Sequence, residues 1–118
     1  MQRERPFYTL NKAEEFMNNV INVTSRSPRK FRPNYVHMMQ EDALGIFNCI
    51  FKGNEYRQNP DIRREYQLKL QIHIKRLTRL LDGAQKVQCI TSIEEADLAQ
   101  QLAQLTNMVN GWINSKNI

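Results

Sequence analysis

Apolar side chains recur along this chain at the spacing of a helix face. Between Leu10 and Thr24, the residues Ala13, Met17, Val20 and Thr24 follow at steps of four, three and four, which places them on one side of a 3.6-residue turn. Asn11 stands where a cap is expected. The run Ser25-Arg26-Ser27-Pro28-Arg29-Lys30-Phe31-Arg32-Pro33 should end that helix, because proline lacks an amide proton and restricts the residue before it. Pro33 suits the first turn of a second helix, continued by Tyr35, Met39, Ala43, Ile46, Ile50 and Phe51 toward Tyr56. Asn59 and Pro60 open a third, with Ile62, Tyr66, Leu70, Leu77 and Leu81 near one face and no breaker until well past Gly83. Thr91-Ser92-Ile93-Glu94 has the form of a capping box. After it, Leu98, Leu102, Leu105, Val109 and Trp112 alternate steps of four and three, the pattern of left-handed helix packing.

The spacing therefore predicts helices over about 10–25, 33–57, 60–88 and 92–115, with a basic connector at 26–32. Short links between long amphipathic helices imply an all-α fold, an antiparallel up-down-up-down four-helix bundle. A length of 118 residues with 41% apolar content suits one domain, spanning 1–118, around one core. Large apolar groups cluster near the two ends of the pattern, at Phe7, Tyr8, Trp112 and Ile113. Either the core or a subunit contact could cover them.

Candidate chemistry is sparse. His37 and His73 lie on different helices, with no second histidine at helical spacing from either, so neither a metal site nor a proton relay is expected. Cys49, among Ile46, Ile50 and Phe51, reads as a small core residue and Cys89 as a helix-end residue. With no CxxC pair and no disulfide framework, a reducing cytoplasm is the expected compartment. The glycines form no phosphate-cradling loop, and the neighbours Glu41-Asp42 and Glu94-Glu95 point to different sides of their helices. Charges at Arg3, Glu4 and Arg5 precede no apolar run of signal-peptide type, and no segment nears the ~20 apolar residues needed to span a bilayer. The expectation is a soluble protein that uses no cofactor and no metal and is not an enzyme.

Charge is better organised. Seventeen Lys and Arg against twelve Asp and Glu give a net +5 and an isoelectric point near 9.5, a bias toward nucleic acid or acidic partners. Lys69, Arg76 and Arg79, with Lys75 at one edge, fall within about 120° on the third helix at 100° per residue. The connector adds Arg26, Arg29, Lys30 and Arg32. Guanidinium and ammonium groups so gathered can grip phosphate or carboxylate, and they can equally be a solvated flank.

Several features in register resemble one family. They are Pro28-Arg29-Lys30 after the first helix, Lys75-Arg76-Leu77-Thr78-Arg79-Leu80-Leu81-Asp82-Gly83 late in the third, Thr91 capping the fourth, and Asn110-Gly111-Trp112-Ile113 near the end. The chain is similar to the four-helix bundles that include the accessory variability determinant of diversity-generating retroelements and the proteins encoded in ribosomal RNA intervening sequences. The resemblance implies a homopentameric barrel with a basic surface that binds the reverse transcriptase and template RNA or cDNA during mutagenic copying. Two basic residues four apart, just before the glycine late in the third helix, belong to that family's functional surface; here they are Lys75 and Arg79. Arg76 and Thr78 replace apolar residues common in the family, and Ser92 stands where a proline often follows the capping Thr. On this reading Lys75, Arg76, Arg79, Lys69, Arg29, Lys30 and Arg32 contact the partner. The alternative is an intervening-sequence type of structural or RNA-interaction protein without a polymerase partner.

Overall fold

In the computed structural model, residues 7–115 are described, and among them the fold is all-α, with four helices and no strand. They are α1 (Tyr8–Thr24), α2 (His37–Glu55), α3 (Pro60–Lys86) and α4 (Ser92–Asn114). Each has local reasons for its limits. Asn59 caps α3 by accepting a hydrogen bond from the Ile62 amide at 3.2 Å, with Pro60 in the first turn. The α4 capping box is complete: Thr91 Oγ1 accepts from the Glu94 amide at 3.0 Å, and Glu94 Oε1 accepts from the Thr91 amide at 2.9 Å, so two orphan donors of the first turn are satisfied.

The first two helices depart from the expected limits. α1 begins at Tyr8, so Asn11 lies inside the helix, and the cap position falls to Phe7, which makes no side-chain hydrogen bond there. Phe16 is fully buried whereas Met17 is half-buried. Between α1 and α2 the chain does not open out. Arg29–Phe31 forms a tight 3-10 turn and Arg32–Val36 a wide π turn that holds Pro33, so α2 proper starts at His37 rather than at the proline. Phe31 and Val36 drop into the core from these turns, which anchors a segment whose Arg29, Lys30 and Arg32 are exposed.

Packing pairs show how the helices run. The end of α1 meets the start of α2 through Gln40 Nε2 donating to Thr24 Oγ1 at 2.9 Å. It also approaches the start of α4 through Arg26 and Glu94, 3.2 Å apart. At the opposite end Phe7 stands edge-on to Trp112, with ring centroids 5.6 Å apart. Along α2 and α3, Gly53 lies beside Tyr66, Gly45 beside His73 and Asp42 beside Arg76, so the numbers rise on one helix as they fall on the other. Neighbouring helices in these pairs run in opposite directions, an arrangement compatible with a four-helix bundle. α3 and α4 also pack together.

The shared core contains Phe16, Met39, Ile46, Ile50, Leu70, Leu77, Leu81, Leu98 and Leu105, all fully buried, each stabilising the fold by about 1.5–3 kcal/mol relative to exposure. Trp112 belongs to this core, with Phe7 and Ile113 packed against it, while Tyr8 stays exposed. Cys49 and Cys89 are buried free thiols. Burial pushes both thiols above their ordinary range. No helix is long and apolar enough to cross a membrane among the described residues.

Candidate nucleic-acid and partner interface

Arg76 separates from the other cations of its helix. Its guanidinium reaches across to α2 and grips Asp42 in a two-pronged pair, Nε to Oδ2 at 2.9 Å and Nη2 to Oδ1 at 2.8 Å, while Nη2 also meets Glu41 Oε1 at 3.1 Å. The Asp42 carboxylate is 0% exposed and is also bonded to His73 Nδ1 at 2.8 Å. An isolated carboxylate buried this deeply would cost several kcal/mol. Two donors, one of them permanently charged, make it tolerable. The hydrogen bonds from Arg76 to Asp42, ahead of the charge attraction, push the guanidinium pKa higher still. Arg76, expected among the partner-binding cations, is thus committed to an internal network; the pitch of α3 turns it toward α2 rather than outward.

His73 completes the network, with its ring wedged against α2. A Cβ built at Gly45 would stand 2.5 Å from His73 Cε1 and Nε2; the far edge of the ring is covered by the α2 backbone. The side chain still keeps 27% of its surface exposed. No cluster of three His, Cys, Asp or Glu among the described residues has the arrangement to hold a metal ion.

Lys75 and Arg79 behave differently. Both are exposed, and neither has an ion-pair or hydrogen-bond partner among the described residues. Four residues separate them, so they sit about one turn apart on the outer face of α3. Lys69 is exposed as well, its ammonium 5.4 Å from the centre of the Tyr66 ring, on the side of α3 nearer α2. The expected stripe therefore splits: Lys75 and Arg79 face outward, Arg76 turns across to α2 with 40% of its side chain still exposed, and Lys69 joins an aromatic group nearer the start of the helix.

The connector lies close to the outward pair. Tyr35 packs so tightly on Gly83 that a side chain there would strike the phenol oxygen, and Gly83 is one turn beyond Arg79. Arg29, Lys30 and Arg32 are exposed on this seated turn, with Lys30 over the Phe31 ring at 5.2 Å. Other cations at this end are neutralised, Arg26 by Glu94 at 3.2 Å and Lys86 by Asp82 at 3.1 Å. Beside them opens a shallow polar cleft of about 460 Å³, bounded by Arg26, Pro28, Gln85, Gln88, Thr91 and Glu94. Its wall includes Gln88, whose φ of 65° lies in the left-handed region that turns the chain from α3 to α4.

No protein-family model matches the chain. No curated protein matches it either.

Two features of this surface escaped the sequence reading. Asp42 occupies the stripe of Met39, Ala43 and Ile46, three residues after one and four before another, and a carboxylate at an apolar position calls for a partner. The parallel stack of Tyr56 on Tyr66, centroids 6.3 Å apart and 9° between planes, needs the α2–α3 register and has no signal in either helix alone.

Proposed function

We propose that the protein is a non-catalytic accessory component of a diversity-generating retroelement. It binds the element's reverse transcriptase, together with template RNA or cDNA, and supports mutagenic reverse transcription. In this reading the four helices form an antiparallel up-down-up-down bundle that assembles as a homopentameric barrel and acts in the cytoplasm. The observation that carries it is the exposed, unneutralised pair Lys75 and Arg79, which falls on the two positions the family resemblance marks. Arg29, Lys30 and Arg32 extend the same basic end.

The chemistry asked of such a surface is positioning. Each ammonium or guanidinium that neutralises a phosphate releases a condensed counterion, so affinity falls steeply with salt while no side chain need react. Arg76 contributes indirectly: by tying α3 to α2 through Asp42, it fixes the orientation in which Lys75 and Arg79 face out. Repeating the surface around a ring would convert weak contacts into tight overall binding by raising the effective concentration of each site.

Charge reversal tests the reading. A Lys75→Glu/Arg79→Glu double variant that keeps its helical content and assembly should no longer co-purify with the reverse transcriptase and template RNA; retained, salt-insensitive binding would contradict it. The gene's surroundings give a second test. A reverse transcriptase gene beside paired variable and template repeats supports the reading, and a ribosomal RNA operon in that place favours the intervening-sequence type instead.

A further inference from the structure

At the end of the bundle opposite the connector, the turn between α2 and α3 gathers aromatic rings and cations other than the Lys75–Arg79 pair and connector residues on which the proposed function rests. Tyr56, at the end of α2, lies parallel to Tyr66 of α3, and Lys69 sits over the Tyr66 ring. Tyr56 keeps 43% of its surface exposed. Lys52 precedes Tyr56 by one turn on the same side of α2, half-buried, with no ion-pair partner among the described residues. Glu55 follows Lys52 by three residues and Glu65 precedes Lys69 by four, so each acid lies within a turn of a lysine, yet no ion pair joins them among the described residues. Both lysines thus remain unpaired on the flank of the tyrosine stack.

We propose that Tyr56, backed by Tyr66, is a stacking platform for an unpaired nucleobase, with Lys69 and Lys52 holding the adjoining phosphates, so that this turn binds single-stranded nucleic acid. Every base offers a π face, and an exposed aromatic ring beside ammonium groups is the arrangement that binds single strands with little regard to sequence. In a duplex those faces are already stacked on neighbouring bases and are closed to a side chain. Tyr66 serves as the fixed lower layer, since its Cβ packs beside Gly53 of α2. Tyr56 is the layer left open. The site lies on a different part of the molecule from Lys75 and Arg79 and stands whether or not those residues bind a polymerase.

The test compares a labelled oligouridylate of about twelve nucleotides with a hairpin duplex of equal length, by fluorescence anisotropy on the intact protein. Wild type should prefer the single strand. Tyr56→Leu should weaken oligouridylate binding by about fivefold or more and leave duplex binding unchanged, whereas Tyr56→Phe and Tyr56→Trp should retain the preference because the ring face is kept. Equal binding of the single strand by wild type and Tyr56→Leu overturns the proposal. So does an equal loss on both probes, which is the signature of a merely structural clasp, and so does a wild type that does not bind the oligouridylate. Lys75→Glu/Arg79→Glu is run in parallel: a loss common to both probes in that variant reports on the basic flank alone, so the two readings fail separately.

Discussion

Arg76 and Arg79 stand three residues apart on one helix and have opposite fates. Arg76 spends its donors on Asp42 and Glu41 across the α2–α3 seam, and Arg79 faces solvent on the outer side. Three residues leave a net offset of only about 60° around a helix, and that suffices to carry a guanidinium from the flank beside α2 to the solvent face. The same contrast recurs at the end of the bundle, where Arg26 is held by Glu94 while Arg29, Lys30 and Arg32 remain exposed. Net positive charge thus overstates the surface available to a partner, and what counts is which cations the fold leaves unneutralised.

Breaking the inward member should cost most. Arg76→Ala leaves the buried Asp42 carboxylate with only His73, and the loss expected is near the lower end of about 3–5 kcal/mol, since the Arg76 side chain is itself 40% exposed and screened by water. Arg79→Ala should shift stability by no more than about 0.5 kcal/mol. Urea unfolding of the two variants side by side measures the difference, and equal effects would erase the distinction between them.

Gly45→Ala attacks the same seam without touching a charge. Its methyl group would stand 2.5 Å from the His73 ring, so the ring must move off Asp42, at a cost of about 1–3 kcal/mol. Gly111→Ala, which meets nothing within 4 Å, should instead stabilise α4 by roughly 0.5–1 kcal/mol. Opposite signs in thermal melting are the expected result.

A smaller effect than at the α2–α3 seam is expected at Arg26 and Glu94. The backbone hydrogen bond from Thr91 holds the Glu94 carboxyl below its ordinary range, and the bond from Arg26 adds to this. A carboxyl whose folded pKa is depressed stabilises the fold above its unfolded pKa of about 4.3 and loses that contribution as pH falls through the lower folded value. Arg26→Ala should therefore cost no more than about 1 kcal/mol at neutral pH, with the gap to wild type closing in acid. A gap that stays constant down to strongly acidic pH would show that the pair contributes nothing.

Much of the architecture could be read from local spacing. The capping box at Thr91 and the repeat from Leu98 to Trp112 are contained within one helix, and so is the Asn59-Pro60 start of α3; each needs only neighbours three or four residues away. The turns at 29–36 were not readable, because whether a proline-containing segment coils or extends is decided by burial of Phe31 and Val36 against helices distant in sequence. The site divides in the same way. Exposure of Lys75 and Arg79 follows from their phase relative to Leu70, Leu77 and Leu81, but the capture of Arg76 and the pairing of Tyr56 with Tyr66 depend on how α2 and α3 are aligned. A helical wheel of α3 places Arg76 among the surface cations only because it omits Asp42.

The salt dependence of RNA affinity tests the central claim most directly. In a plot of log affinity against log salt, Arg79→Ala should reduce the slope by about one relative to wild type, in a protein of unchanged stability. A slope identical to that of wild type would mean that Arg79 meets no phosphate and that the outward cations are only a hydrated flank.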